Sequence, residues 1–153
     1  MGKTAVFVLT TLNQLVPKDG ETSVIVLAHT RELAFQIGYE YQRFSKFMKE
    51  PAISTMVLFG GIDYRVHKRE LESKKPHIVV GTPGRVFHMI EEGALKTDKV
   101  KFFVVDECDK MLATTDMRQQ VQKIFLKTPP EKQVMMFSAT LSKEVRPVCH
   151  KFL

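Results

Sequence analysis

Near its start the chain reads Gly2-Lys3-Thr4, followed by an apolar helical stretch, Ala5–Leu15. Gly-Lys-Thr ahead of a helix is the second half of a phosphate-binding loop, G-x-x-x-x-G-K-[ST]. In such a loop, backbone N–H groups and the helix dipole hold phosphates. The Lys neutralises their charge and the Thr hydroxyl ligates Mg²⁺. Alone, the triplet reads as well as a helix N-terminus that happens to begin this way. Roughly a hundred residues later, Phe102–Val105 (FFVV) runs into Asp106-Glu107-Cys108-Asp109. Four apolar residues and an acidic pair form a Walker-B pattern, in which the Asp holds Mg²⁺ and the Glu polarises the attacking water. Alone, the pair could merely complement a helix dipole. Two such features within one domain length, each at the correct end of its element, point together to a site that hydrolyses a nucleoside triphosphate.

Other strand ends carry polar residues as well. SVIVLA (Ser23–Ala28) leads into His29-Thr30-Arg31-Glu32, and STMVLF (Ser54–Phe59) into Gly60-Gly61. HIVV leads through Gly81 into Thr82-Pro83-Gly84-Arg85, and QVMMF (Gln133–Phe137) into Ser138-Ala139-Thr140. Glycines, hydroxyls and arginines where helices begin are how proteins hold nucleic-acid phosphates without reading bases. Each is also a common turn or cap.

These residues must be positioned by alternating elements. The apolar runs are rich in Val, Ile, Phe and Met without polar alternation, the pattern of strands buried on both faces. Between them lie amphipathic stretches. Ala34, Ile37, Tyr41, Phe44 and Met48 recur at helical spacing, with Thr30 as N-cap. A helix is predicted to follow Thr82 with Pro83 at its first position. Another carries Met117, Val121, Ile124 and Phe125, and a last one opens at Ser142, with Pro147 in its first turn or kinking it. Strand–helix alternation of this kind predicts a doubly wound, mainly parallel α/β sheet with helices on both faces. Ligands of such folds bind at the carboxyl ends of the strands.

The 153 residues suit one domain. With 44% hydrophobic and 26% charged residues, global disorder and coiled coil are excluded. No apolar run approaches the roughly 18 residues of a membrane span. A net charge of +6 favours a polyanionic partner without identifying one. The two cysteines, Cys108 and Cys149, are too few for a secreted disulfide framework and suit a reducing compartment.

GKT, TRELA, GG, TPGR, DECD and SAT, in that order, resemble the motifs of the first RecA-like domain of DEAD-box RNA helicases. The resemblance covers essentially the whole chain. DECD in place of the usual acidic motif, together with HTRELAFQI, is similar to the DECD-box branch, nuclear helicases of mRNA export and splicing. The resemblance implies an RNA-stimulated ATPase with a RecA-like P-loop NTPase fold over residues 1–153, ATP and Mg²⁺ as cofactors, nuclear location, and RNA with mRNA-export and splicing proteins as partners. It implies phosphate binding by Gly2, Lys3 and Thr4, with Thr4 and Asp106 at Mg²⁺ and Glu107 as the base or water-orienting acid. It implies a coupling set of Asp109, Ser138 and Thr140. It implies a grip on the sugar-phosphate backbone by Arg31, Gly61, Thr82, Gly84 and Arg85. Helicases of this kind have a second RecA-like domain that supplies arginine fingers. This chain lacks a match to that domain, to the upstream Q motif and to the front of the phosphate loop. It is therefore expected to be part of a larger protein and inactive in isolation; the alternative is a fragment that serves only as an RNA- or protein-binding module.

Some residues invite other chemistry. Cys108 stands where the family has Ala, which packing alone can select. The five histidines show no metal-ligand spacing. Arg65, Lys68, Arg69, Lys74 and Lys75 are expected on a solvated helix face, the alternative being an RNA groove. Phe35, Tyr39, Tyr41, Phe44 and Phe47 are expected at the core or its edge, the alternative being a stacking or partner surface.

Overall fold

The computed structural model describes residues 2–48 and 52–153. Five strands form one sheet in the order β2-β3-β1-β4-β5, and every neighbouring pair is parallel. The strands are β1 (Val24–Leu27), β2 (Thr55–Leu58), β3 (Ile78–Gly81), β4 (Phe102–Val105) and β5 (Gln133–Met136). The helices are α1 (Gly2–Gln14), α2 (Arg31–Ser45), α3 (Tyr64–Lys74), α4 (Pro83–Glu91), α5 (Cys108–Met111), α6 (Thr115–Lys127) and α7 (Val145–His150). This is the α/β sheet that the apolar runs predict.

Strand residues alternate between two cores, because successive side chains point to opposite faces. On one face Val24, Val26, Val80 and Val104 pack with Phe7 and Leu12 of α1 and Ala34, Ile37 and Tyr41 of α2. On the other, Ile25, Leu27, Val79 and Val105 meet Leu71 of α3, Met89 of α4, Met111 of α5, Ile124 of α6 and Cys149 of α7. With both faces covered, the central strands β1, β3 and β4 are buried at every position. The edge strands differ from the expectation of burial on both faces. In β2, buried and half-buried residues alternate, and β5 has one exposed and three half-buried residues, since each has a neighbour on one side only.

Local signals set the helix starts. Thr30 accepts the Leu33 N–H at 3.1 Å and caps α2, with Glu32 in the first turn. Pro83 sits in the first turn of α4. The last helix begins at Val145 rather than at Ser142: the Ser142 hydroxyl accepts the Val145 N–H and its carbonyl the Arg146 N–H, so Ser142 caps a turn ahead of α7. Pro147 is the third residue of α7. Of the α2 aromatics, Tyr41 is fully buried and Phe44 half-buried. Phe35, Tyr39 and the following Phe47 are exposed at 43%, 63% and 82%, which corrects the expectation of core packing for these three. Phe35 and Tyr39 are four residues apart and share the helix face opposite Ala34, Ile37 and Tyr41.

Candidate nucleotide and RNA site

Parallel strands deliver their following residues to one edge of the sheet. Strand order divides that edge in two. Gly61 follows β2, Thr82, Gly84 and Arg85 follow β3, and Arg31 follows β1, and these three strands are adjacent. Asp106, Glu107 and Asp109 follow β4, and Ser138 and Thr140 follow β5, on the other side. The helix after β1 covers one face and the helices after β4 cover the other, so β1 and β4 diverge at a topological switch point.

In the β4–β5 half, Gly2, Lys3 and Thr4 form the first turn of α1. Lys3 is exposed, Thr4 is half-buried and Asp106 is 6% exposed. Burial raises the Asp106 carboxyl above its ordinary range, with the neighbouring Glu107 adding to that rise. The Glu107 N–H, which donates to Asp106 Oδ1 at 2.9 Å, and the Lys3 charge oppose it. A buried carboxylate within reach of a lysine charge suits a hard cation that keeps waters and shares phosphate oxygens, as Mg²⁺ does. Among the described residues no cluster of three or more metal-holding side chains occurs, and a Mg²⁺ held by one carboxylate and its nucleotide needs none. The donors present fit Mg-nucleotide.

Glu107 has φ 48° and ψ 50°, a left-handed conformation that a non-glycine residue adopts at a cost. Such outliers concentrate at functional sites. The turn lets the Cys108 N–H donate to the Phe137 carbonyl at 2.9 Å, tying the acidic motif to the end of β5. His29 Nδ1 lies 3.5 Å from Glu107 Oε2, and Lys110 Nζ lies 3.7 Å from Oε1. His29 Nδ1 is solvent-inaccessible and makes no hydrogen bond among the described residues. The Ser138 hydroxyl donates to the Thr140 carbonyl at 2.6 Å and accepts the Thr140 N–H at 3.3 Å. No hydrogen bond joins either to Asp109 among the described residues. The Cys108 thiol is 2% exposed and 3.7 Å from the Cys149 sulfur. Burial pushes it up to about 12, with Cys149 contributing, so thiolate chemistry is suppressed and packing accounts for it.

In the other half, the Arg31 guanidinium lies over the rings of Phe59, at 4.6 Å, and Phe35, at 5.7 Å. Gly61, at φ 92°, occupies a conformation suited to glycine; a Cβ there would sit 3.5 Å from Arg31 Nη1. Thr82 is the N-cap residue of α4 but makes no side-chain cap bond, leaving its hydroxyl uncommitted there. Gly84 is exposed in the first turn of α4. Arg85 Nη2 donates to the Ile62 carbonyl at 2.9 Å, and Nη1 lies 2.8 Å from His67 Nδ1. The basic stretch falls on α3 and its C-cap as expected for a solvated face. There Asp63 accepts a fork from Arg65, which holds that carboxyl down at about 2, and Lys68 pairs with Glu92.

Sequence reasoning missed three contacts: His29 with Glu107, His67 with Arg85, and Phe59 with Arg31. His29 was visible only as a departure from the family's Pro. The other two join residues far apart in the sequence and leave no local signal.

A parallel sheet with a Gly-Lys-Thr helix start and a buried Asp106 at the end of β4 defines a RecA-like domain. The chain belongs to the DEAD/DEAH box helicase family, whose pattern matches residues 1–148. It is 58% identical over 155 residues to the ATP-dependent RNA helicase uap56 of Schizosaccharomyces pombe, covering 100% of this chain and 35% of that protein. It is 56% identical over 153 residues to the human ATP-dependent RNA helicase DDX39A, again covering 100% and 35%. The chain thus spans about a third of the length of these relatives. Its fold matches Saccharomyces cerevisiae Dbp5 bound to RNA and ADP BeF3, with a TM-score of 0.85, 30% identity and 98% of this chain and 36% of that one covered. A variant of the same yeast protein, solved with Nup159, Gle1 and ADP, gives 0.85 and 31%, covering 99% and 38%.

Proposed function

We propose that this chain is the first RecA-like domain of an ATP-dependent RNA helicase of the DECD-box branch. It binds ATP with Mg²⁺ in the β4–β5 half of its sheet edge and single-stranded RNA in the β2–β3–β1 half. One observation carries the reading: the acidic residues Asp106, Glu107 and Asp109 and the arginines Arg31 and Arg85, which meet no carboxylate among the described residues, lie in separate halves of one edge, bridged by β1. His29 and Arg31 are two residues apart, and the first contacts Glu107 while the second contacts Phe59. A nucleotide-dependent change around Glu107 therefore has a short route to the RNA side.

When bound, Mg-ATP supplies the phosphoryl group that water attacks and the metal charge that stabilises the transition state. Gly2, Lys3 and Thr4 hold the phosphates through N–H groups, an ammonium and a hydroxyl, with Thr4 and Asp106 as the Mg²⁺ ligands. Glu107 orients the attacking water and takes up its proton. Asp109, Ser138 and Thr140 form the coupling set. Arg31, Gly61, Thr82, Gly84 and Arg85 contact sugar and phosphate, which makes binding independent of base sequence. A second RecA-like domain supplies arginine fingers, worth about 10³–10⁵ in rate in related NTPases, so this domain alone turns over negligibly. Its likeness to uap56 and DDX39A supports a nuclear role in mRNA export and splicing with proteins of those pathways.

The test is phosphate release by the full-length protein with and without oligouridylate, in wild type and Lys3→Ala. RNA-stimulated hydrolysis that the variant loses is expected. RNA binding without turnover in the wild type would leave a binding module instead.

A further inference from the structure

Arg31 and Arg85 are held by aromatic rings, an imidazole and a carbonyl. Arg43 and Arg65 each form an ion pair, with Glu40 and Asp63. Among the described residues neither Arg31 nor Arg85 has a carboxylate within 4.0 Å. Their partners are uncharged. Arg31 rests on Phe59 and Phe35, whose rings pack 4.9 Å apart. Phe59 meets the His67 imidazole edge-on at 4.9 Å, and His67 meets Arg85 at 2.8 Å. One continuous stack, Arg31–Phe59–His67–Arg85, thus joins residues of α2, the end of β2, α3 and α4.

The middle of this stack has a defined protonation state. Arginine is always a donor, so His67 Nδ1 must accept and its proton must sit on Nε2. His67 is 2% exposed. Burial first, and the Arg85 charge second, lower its pKa, while Glu70 on its own helix opposes them weakly. The imidazole is therefore neutral. It fixes Arg85 without cancelling its charge, whereas a carboxylate in its place would cancel it. Arg85 has five N–H donors and commits two of them, to His67 and to the Ile62 carbonyl, which leaves three for an anion.

We propose that Phe59 and His67 are positioning residues that hold Arg31 and Arg85 as one pre-aligned, uncompensated cationic pair for successive phosphates of a single RNA strand. The inference rests on the RNA reading of this sheet edge and assigns the two side chains that make the grip rigid. Fixing the guanidinium groups beforehand removes the ordering cost from binding.

The test is a double-mutant cycle on the full-length protein, read by fluorescence anisotropy with labelled oligouridylate across a salt series. Arg85→Ala is expected to weaken binding about tenfold, the worth of one charge-assisted contact. It also lowers the salt slope by about 0.7. His67→Leu is expected to reproduce most of that loss beside Arg85 and to add nothing in the Arg85→Ala background. His67→Gln, whose carbonyl can still accept, is expected to restore binding and covers the case in which the Leu variant folds poorly. If His67→Leu costs the same in both backgrounds, or Leu and Gln bind alike, the positioning role is overturned while the RNA reading stands. If Arg85→Ala leaves affinity and slope unchanged, the RNA reading of Arg85 fails and the positioning role falls with it.

Discussion

His29 Nδ1 lies 3.5 Å from Glu107 Oε2, across the switch point where β1 and β4 diverge. The contact is too long for a hydrogen bond, and Glu107 reaches it from a left-handed backbone conformation. His29 therefore limits where the carboxylate can sit. His29→Ala in the full-length protein is expected to lower kcat about ten- to a hundredfold, the usual cost of a slightly misplaced catalytic group. The KM for ATP should change little, because the phosphate-holding residues are untouched. Steady-state kinetics with saturating RNA separates the two; an unchanged kcat would remove His29 from the mechanism.

Glu107→Gln should abolish hydrolysis yet leave ATP binding largely intact. In the proposed mechanism Glu107 acts on the attacking water, whereas Lys3 carries the phosphate contacts. Turnover and nucleotide affinity are measured side by side, by phosphate release and by titration with a fluorescent ATP analogue. A parallel fall in both would make Glu107 a binding residue.

Gly81 closes β3 against β2, and its replacement tests the packing between them. A Cβ at Gly81 would meet the Leu58 carbonyl oxygen at 2.8 Å and Val86 Cγ2 at 2.6 Å. That same carbonyl accepts the Thr82 N–H at 3.1 Å. Backbone must shift to admit a methyl group, so Gly81→Ala should cost about 1–3 kcal/mol, the range for overpacking. Urea denaturation measures it; an unchanged midpoint would mean the strands can separate at no cost.

The sheet and its parallel sense were legible because apolar runs are local signals. FFVV is β4 residue for residue, and Thr30 caps α2 as its type suggests. What was not legible depends on strand order, which composition does not encode. Burial of β2 and β5 was overestimated because nothing in STMVLF or QVMMF says that these strands lie at the edges. His67 pairs with Arg85 from 18 residues away, and only the packing of α3 beside α4 brings them together. The start of α7 was misplaced by three residues because Ser142 caps a turn as well as it would cap a helix.

Tyr41 predicts an alkaline dependence of stability. Its hydroxyl lies 2.8 Å from Thr11 Oγ1, tying α2 to α1, and the residue is fully buried. Burial raises the phenol well above its ordinary value, and the Thr11 hydrogen bond offsets this only in part. A folded-state pKa above the unfolded value of about 10 means that folding favours the neutral phenol. That contribution is complete below about pH 10 and is lost as pH rises beyond it, at about 1.4 kcal/mol per unit. At neutral pH, Tyr41→Phe should cost about 1 kcal/mol, since Thr11 keeps its bond to the Phe7 carbonyl and strands no donor. Above about pH 10 the phenylalanine variant escapes the penalty, so the stability gap should close and then reverse. Cys108, which titrates in both proteins, cancels from the difference. Urea midpoints of the two proteins between about pH 7.5 and 11 decide it; a gap that stays constant over that range would show that Tyr41 ionisation is not linked to unfolding.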